Sequence, residues 1–315
     1  MNHSQSTLPS KAINKHAVSP HPGEGGCHRA MDPAADRSRR ASGASGQASA
    51  TAGPTAPDAA RGPAAPPPRW ASPFPPDVVF EQAGPEAIGR MALLPGERAL
   101  LSERAAARRV LEFTLGRGCA RAALAVLAAP DPRRAAELAA TPLLREDARR
   151  PRWPAGFVGA ITHHRGWAAA AVARAQAYLG IGVDLEALRA PSPGLLARIL
   201  RPEERERWQA LPAAERPGAF MRVFSAKESL FKALYPHGGV YLGFQDATVT
   251  AAPGSAAAPA DSAPEAAQDT PPGALALRWR LERDAGPGLP AGRTGDGCAL
   301  ARAGYVLTGI WLRRD

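Results

Sequence analysis

The sequence lacks several features, and each absence argues against a class of protein. Only three of its 315 residues are cysteines, Cys27, Cys119 and Cys298, and they are widely separated with no CxxC spacing. This pattern argues against a disulfide framework or a zinc site and fits a reducing, cytoplasmic setting. No uninterrupted apolar run approaches the roughly 20 residues of a membrane helix, so a membrane-spanning protein is excluded. The N-terminus has no compact apolar segment typical of a secretory signal.

Branched aliphatic residues are nearly missing from the first 76 positions. This stretch holds 13 of the 33 prolines but only three Leu, Ile or Val residues. Such a segment cannot bury enough apolar surface to offset the entropy of ordering it, so residues 1–76 are predicted to be a disordered tail. Residues 251–273 contain no Leu, Ile, Val or aromatic residue and are predicted to be a linker-like insertion.

Acidic residues are outnumbered, with 29 Asp and Glu against 39 Lys and Arg, for a net charge of +10. A basic chain favours anionic partners: nucleic acid, phosphorylated small molecules, acidic proteins or a membrane surface. A nucleic-acid-binding protein is the less favoured reading, because the charge is diluted over tail and loops and no known DNA- or RNA-binding motif is present.

The remaining sequence alternates between strand and helix patterns. A long helix is predicted over residues 103–127, with Ser102 as its cap, and residues 130–154 are predicted to be loop-rich. Further helices are predicted over residues 193–211, with a new turn at Pro202, and 217–234. The predicted strands are residues 77–83, 157–162, 167–173, 177–186, 241–250, 274–283 and 305–312.

Two acidic residues end the predicted strand GIGVDLE. Alternate residues of a strand share a face, so Asp184 and Glu186 point the same way and could converge on one divalent cation. The plainer interpretation is an exposed strand end. The apolar residues that precede the pair favour burial of at least one acid, and a buried acid needs a partner.

Three further patterns carry charged side chains. In FSAKESLFKAL, Glu228 and Lys232 lie four residues apart on one helical face, either as a surface ion pair or as a metal ligand or base beside a phosphate contact. His163 ends a predicted strand, as a core-edge histidine or as a phosphate ligand. Arg117 and Arg121 lie one turn apart, and Arg109 about two turns earlier, on a helix whose two glycines permit close approach of a backbone or a ligand.

Taken together and in this order, the motifs EFTLGRGCARAAL, PRWPAG…GAITHH, GIGVDLE and FSAKESLFKA resemble the 4′-phosphopantetheinyl transferases, especially the single-chain type comparable to enterobactin-synthase component D. The resemblance implies a holo-[acyl-carrier-protein] synthase type of enzyme. It would transfer 4′-phosphopantetheine from coenzyme A to a serine of an apo acyl or peptidyl carrier protein, with Mg²⁺, and release 3′,5′-ADP. Siderophore, nonribosomal peptide or polyketide synthesis is the expected setting.

The resemblance also implies roles for individual residues. Asp184, Glu186 and Glu228 match the magnesium-binding acids, with Glu228 also a candidate base and Asp184 counted with the coenzyme A site. Lys232 matches a lysine near the pantetheine phosphates. His163 matches the histidine at the 3′-phosphate of coenzyme A, and Arg109 and Arg117 match residues that clamp the nucleotide phosphates.

Two positions depart from the family pattern. Ala160 stands where a small hydroxyl residue is usual, so one hydrogen bond is expected to be missing. Ala148 stands where relatives often carry a lysine, and Arg149 or Arg145 could substitute for it.

The expected fold is α+β: two pseudo-symmetric halves, each a small, mostly antiparallel sheet on a long helix, with a ligand cleft between them. Residues 77–190 would form the first half and residues 191–315 the second. We expect a monomer. The alternatives are an inactive relative that binds coenzyme A or a carrier without transfer and, less favoured, the nucleic-acid-binding protein.

Overall fold

The computed structural model describes residues 66–146, 150–251 and 273–314. All of them belong to one compact unit, residues 55–315. Ala148, Arg149, most of the predicted tail and most of the predicted insertion lie outside the described residues. No helix in the described part is both long enough and apolar enough to span a membrane.

A three-stranded antiparallel sheet forms the first half. Its strands are β1 (Val79–Ala83), β2 (Phe157–His164) and β3 (Trp167–Arg174), in the order β1-β3-β2. The long helix α2 (Ala107–Leu127) packs on this sheet through Leu115, Cys119 and Ala123, which are fully buried. Their four-residue spacing gives the helix one apolar stripe, so α2 is held by burial rather than by capping. Two short helices complete the half, α1 (Pro95–Arg98) and α3 (Pro132–Ala140).

A five-stranded antiparallel sheet with the order β4-β8-β7-β6-β5 forms the second half. Its strands are β4 (Tyr178–Ala187), β5 (Ala247–Ala251), β6 (Ala274–Leu281), β7 (Thr294–Arg302) and β8 (Tyr305–Arg313). The helices are α4 (Pro193–Ile199), α5 (Pro202–Ala210) and the long α6 (Arg216–Gly238). Glycines in β4 let α6 lie directly on the strand: a Cβ at Gly182 would stand 1.7 Å from the carbonyl oxygen of Ser229.

The two halves share a core topology, to which the second half adds β5 and β6 between α6 and β7, and their helices and antiparallel sheets confirm the α+β class. In each, a strand leads to a long helix and then to an antiparallel hairpin, and the second hairpin strand pairs with the first strand of the half. This describes β1, α2, β2 and β3, and again β4, α6, β7 and β8. Strand β4 precedes the predicted boundary at residues 190 and 191, and it pairs with β8 along its length.

The last residues of the segment predicted to be a tail, residues 66–76, are described by the structure and pack on the folded unit. Trp70 and Phe74 are each 8% exposed and belong to the apolar cluster between the two sheets. The Gln82 side chain holds the segment in place: its Oε1 accepts the Trp70 N–H at 2.8 Å and its Nε2 donates to the Trp70 carbonyl at 2.7 Å. Two aromatic side chains and the Gln82 amide therefore hold this proline-rich segment against the folded unit.

Several predicted boundaries also change. Ser102 does not cap α2, which begins at Ala107 without a side-chain cap; its Oγ accepts the Arg104 N–H at 3.2 Å in a local turn. The helix predicted over 193–211 is two helices broken before Pro202. The strand predicted over 241–250 is confined to Ala247–Ala251.

Candidate functional site

A cavity of about 330 Å³ lies between α2, β2 and α6. Arginines from α2 and from the chain leading into β2 line it, and α6 contributes a lysine. The basic lining residues are Arg109, Arg117, Arg145, Arg150, His163 and Lys232. Aromatic rings from Phe113, Trp153, Phe231 and Tyr235 supply much of the rest. Apolar walls that carry a few convergent charged groups are typical of a site for an anionic small molecule.

Arg117 is held rigidly at the cavity wall. It is only 6% exposed, its Nε donates to the Leu143 carbonyl at 2.9 Å, and its guanidinium lies 4.5 Å from the centre of the Phe113 ring. The pKa of Arg117 falls to about 10, mainly because of burial; Glu97 opposes this fall, and the nearby Arg145 and Arg109 contribute to it. A buried cation among other cations favours binding of an anion.

Arg109, His163 and Glu112 form a hydrogen-bonded chain beside Arg117. Arg109 Nη1 lies 2.9 Å from His163 Nε2, and His163 Nδ1 lies 3.1 Å from Glu112 Oε2. His163 thus reaches the cavity from the end of β2, while α2 supplies the groups on both sides of its ring. The structure thus brings together Arg109, Arg117 and His163, three of the basic residues singled out from the sequence.

Asp184 and Lys232 form the acidic end of the site. Lys232 Nζ donates to Asp184 Oδ1 at 2.8 Å and to the Val183 carbonyl at 2.9 Å. The second carboxylate oxygen of Asp184 is buried and has no hydrogen-bond partner among the described residues. Lys232 also lines the cavity, so this one side chain joins the acidic end to the arginines.

Glu186 and Glu228 lie close enough to Asp184 to respond to its charge. Burial raises the pKa of Glu186 to about 8, and Asp184 adds to the effect. Burial also raises the pKa of Glu228. The charge of Asp184 raises this pKa by a smaller amount, and Lys232 lowers it. Hydroxyl groups fix the relation between β4 and α6, because Ser225 Oγ lies 3.2 Å from the Asp184 carbonyl and 2.8 Å from Thr308 Oγ1.

These acids suit a hard divalent cation in kind. Carboxylate oxygens are the ligands that Mg²⁺ prefers, and an unpaired buried oxygen on Asp184 next to two acids of raised pKa is relieved by a cation. Within the described ranges, however, no group of three His, Cys, Asp or Glu side chains already stands at metal-coordinating spacing. The carboxylates of Asp184, Glu186 and Glu228 therefore have the right chemistry for Mg²⁺. In this conformation the three side chains do not yet stand at metal-coordinating spacing.

Of the other residues singled out from the sequence, some line the cavity and some do not. Arg121 does not reach the cavity: it forms a buried ion pair with Glu97 and donates to the Ala92 carbonyl at 2.6 Å. Arg145 and Ala160 do line it. The two α2 glycines serve close packing, since a Cβ at Gly116 would stand 2.8 Å from an Ile161 methyl and one at Gly118 would stand 2.6 Å from the Met91 sulfur.

Sequence reasoning missed Arg150 and the cavity aromatics. Arg150 donates to the Pro236 carbonyl at 3.0 Å and lies 5.4 Å from the centre of the Tyr235 ring. A usable signal was present in α6, where Phe231 and Tyr235 are four residues apart and flank Lys232, with ring centres 5.0 Å apart.

Two family models match the chain in order. The model of the 4′-phosphopantetheinyl transferase N-terminal domain matches residues 96–173, and that of the 4′-phosphopantetheinyl transferase superfamily matches residues 180–275. Together they cover more than half of the chain. The chain belongs to the 4′-phosphopantetheinyl transferase superfamily. The first model spans α2 and the basic cavity wall, and the second spans β4 and α6 with the acids.

Curated relatives agree with this assignment. The chain is 41% identical over 165 residues to 4′-phosphopantetheinyl transferase Svp of Streptomyces mobaraensis, covering 52% of this chain and 63% of that protein. It is 37% identical over 158 residues to 4′-phosphopantetheinyl transferase PptT of Mycobacterium tuberculosis, covering 50% and 64%. Enterobactin synthase component D of Salmonella typhi is 37% identical over 91 residues, 28% of this chain and 36% of that protein. The chain thus spans just under two thirds of the first two relatives.

Proposed function

We propose that this superfamily member transfers 4′-phosphopantetheine from coenzyme A to a serine of an apo acyl or peptidyl carrier protein, releasing 3′,5′-ADP. The observation that carries the proposal is the double role of Lys232. This residue lines the arginine-rich cavity and also bonds to Asp184. One site therefore combines anion-binding groups with acids suited to Mg²⁺, as transfer of a phosphorylated group requires.

The nucleotide end of coenzyme A is assigned to the basic wall. Arg109 and Arg117 would contact the nucleotide phosphates, since guanidinium groups match phosphate geometry. His163 would contact the 3′-phosphate. Arg145 lies on the same wall and is the described candidate to replace the lysine missing at position 148.

Magnesium, if bound, would be held by Asp184, Glu186 and Glu228, and it would neutralise charge on the diphosphate. The chain's own residues then act on the reacting atoms. The serine hydroxyl attacks the phosphorus that bears the pantetheine arm, a new oxygen–phosphorus bond forms, and the bond to the leaving 3′,5′-ADP oxygen breaks. Glu228 takes the serine proton, and the burial that raises its pKa makes it a stronger base than an exposed carboxylate. Lys232 stabilises charge on the leaving oxygen.

The setting belongs to the same proposal. A carrier of siderophore, nonribosomal peptide or polyketide synthesis is supported by the match to a relative named as a component of enterobactin synthase. A cytoplasmic location is supported by Cys119 and Cys298, which are buried free thiols. We propose that the protein acts as a monomer.

The test is the intact mass of an apo carrier protein after incubation with the full chain, coenzyme A and Mg²⁺. We expect a gain of one phosphopantetheine arm, and loss of that gain when Mg²⁺ is chelated or when Asp184→Ala is used. Asp296→Ala, on the exposed face of β7, is the matched control and should load the carrier normally. Binding of coenzyme A without a mass gain would favour the inactive relative, and near-normal turnover of Asp184→Ala at saturating Mg²⁺ would refute the metal assignment.

A further inference from the structure

Glu112 faces His163 from α2, and the proposed mechanism gives it no role. Its side chain is 9% exposed. Oε2 lies 3.1 Å from His163 Nδ1, and Oε1 accepts the Gly166 N–H at 3.0 Å. Gly166 lies in the tight turn between β2 and β3, so one carboxylate holds both the histidine ring and the turn that follows it.

The contacts of His163 fix the arrangement of its ring protons. A guanidinium can only donate hydrogen bonds, so the nitrogen facing Arg109 must be the acceptor. That nitrogen is Nε2, 2.9 Å from Arg109 Nη1. In the neutral ring Nδ1 therefore carries the hydrogen and donates it to Glu112, which leaves Nε2 directed at the cavity.

We propose that Glu112 is a positioning residue: it keeps Nδ1 of His163 protonated and Nε2 presented to the 3′-phosphate of coenzyme A. The inference rests on the proposed function. When a phosphate oxygen replaces Arg109 at Nε2, the ring takes up one proton from solvent at Nε2, both ring nitrogens donate, and the resulting imidazolium lies between the phosphate and the Glu112 carboxylate. Glu112 thereby makes the histidine a stronger ligand for the one phosphate that distinguishes coenzyme A from its dephospho form.

The charge on Glu112 is consistent with this role. Burial raises the pKa of Glu112, but the hydrogen bonds from His163 and Gly166 outweigh burial, and the pKa lies below its ordinary value. Arg108 on α2 also favours the ionised carboxylate, and Arg109 contacts the histidine from the same helix.

The experiment has to separate this role from support of the turn. Calorimetry would measure the dissociation constants of coenzyme A and dephospho-coenzyme A for the wild type, Glu112→Ala, Glu112→Gln, His163→Ala and the double variant Glu112→Ala with His163→Ala. Nitrogen-15 NMR of the free proteins that keep His163 would report which ring nitrogen is protonated. Glu137→Gln is the matched control, because Glu137 pairs with Arg134 on exposed α3.

We expect Glu112→Ala to weaken coenzyme A binding about tenfold or more, as loss of a charge-assisted contact does, with little change for dephospho-coenzyme A. Glu112→Gln keeps an acceptor for Nδ1–H, so its Nδ1 should stay protonated while coenzyme A affinity falls by less. The double variant should bind coenzyme A no more weakly than His163→Ala, since Glu112 acts through the histidine.

Equal losses for both ligands, additive losses in the double variant, or an unchanged protonation pattern in Glu112→Ala would overturn the inference and leave Glu112 as a support for the turn. The protonation pattern is read in the free protein and the affinities need no transfer. A wild type that binds coenzyme A but never loads a carrier would therefore refute the proposed function alone.

Discussion

Arginines that look alike in the sequence differ in what they contact. Arg117 and Arg121 lie one turn apart on α2, yet Arg117 faces the cavity while Arg121 pairs with buried Glu97. Glu97 also accepts the Leu143 N–H at 3.0 Å, so this pair joins the C-terminal part of α2 to α1 and to the chain after α3. Helical spacing predicted the shared face correctly. It could not supply the partner, which comes from 24 residues earlier in the chain.

Substitutions in the basic wall and at the acidic end should change different kinetic constants. Arg117→Ala and His163→Ala each remove a charge-assisted contact to a part of coenzyme A that does not react. The Michaelis constant for coenzyme A should rise roughly ten- to hundredfold, with a smaller change in kcat. Glu228→Ala should instead lower kcat, because it acts on the reacting hydroxyl. Steady-state kinetics with varied coenzyme A checks this; a pure kcat effect at Arg117 would contradict the division.

The two described cysteines should be inert in the folded protein. Burial raises the pKa of Cys119 and of Cys298 to about 12, and a nearby Glu81 adds to the effect at Cys119. The reactive thiolate appears only as the pH approaches that value, so at pH 8 about one thiol in ten thousand is ionised. Iodoacetamide at pH 8 should leave both unmodified until denaturant is added, as read by peptide mass. Rapid labelling of either in the native protein would show that its site opens.

At the scale of elements, the contact between β4 and α6 places Glu228 and Lys232 beside Asp184. Gly182→Ala would place a methyl group against the backbone carbonyl oxygen of Ser229. Because neither the Cβ nor the carbonyl can move away by a change of rotamer, the clash cannot be relieved by side chains. We expect destabilisation of at least about 3 kcal/mol and loss of transfer. Gly194→Ala is the control, since a Cβ there meets nothing within 4 Å and α4 should be unchanged or slightly stabilised.

Chemical denaturation of both variants measures the difference. If Gly182→Ala unfolds at the wild-type midpoint, α6 does not lie on β4 as described.

The elements show why some of the fold could be predicted and some could not. Strands β2, β3 and β4 were predicted within two residues because their apolar runs end at turns or polar residues. Helix α3 differs from the loop predicted over residues 130–154, because Pro132 begins a helix capped by Asp131 rather than ending one. Strand β7 is not predicted because the stretch between the last two predicted strands is rich in Gly and Pro; in the structure, Gly295 of β7 is a packing position where a Cβ would stand 2.4 Å from the Trp279 ring.

Lys227 shows the same limit inside a correctly predicted helix. It precedes Glu228, yet its Nζ is buried and bonds to Glu204 at 2.6 Å and to the carbonyls of Ile199 and Phe244. Adjacent helical residues point in different directions, so one faces the site and the other joins α6 to α5. The motif predicted the position of the acid, but only the tertiary fold gives the lysine its partner.

At the scale of the whole molecule, long-range pairing decides the architecture. The last strand, β8, lies between β4 and β7, so the C-terminal residues complete the sheet that carries Asp184. Asp77, just before β1, accepts the Tyr178 hydroxyl at 2.6 Å and pairs with Arg313. Both ends of the described unit thus meet at β4, which local sequence patterns cannot indicate.

This arrangement predicts the outcome of two N-terminal truncations. A chain beginning at Pro66 keeps Trp70 and Phe74, and we expect its melting temperature and activity to stay close to those of the full chain. A chain beginning at Asp77 loses both rings from the cluster between the sheets. Removal of one such aromatic side chain from a core costs about 3–5 kcal/mol, so this chain should melt many degrees lower.

Thermal unfolding of the two truncated proteins provides the measurement, and Trp70→Ala in the full chain provides the matched point variant. If the chain beginning at Asp77 had the same melting temperature as the chain beginning at Pro66, the two aromatic rings would contribute nothing to the stability of the core. A loss confined to the longer deletion would place the start of the folded unit between residues 66 and 76. The acids of β4 then depend on a segment more than 100 residues earlier in the chain, because the same cluster contains Tyr178, Ile181 and Val183.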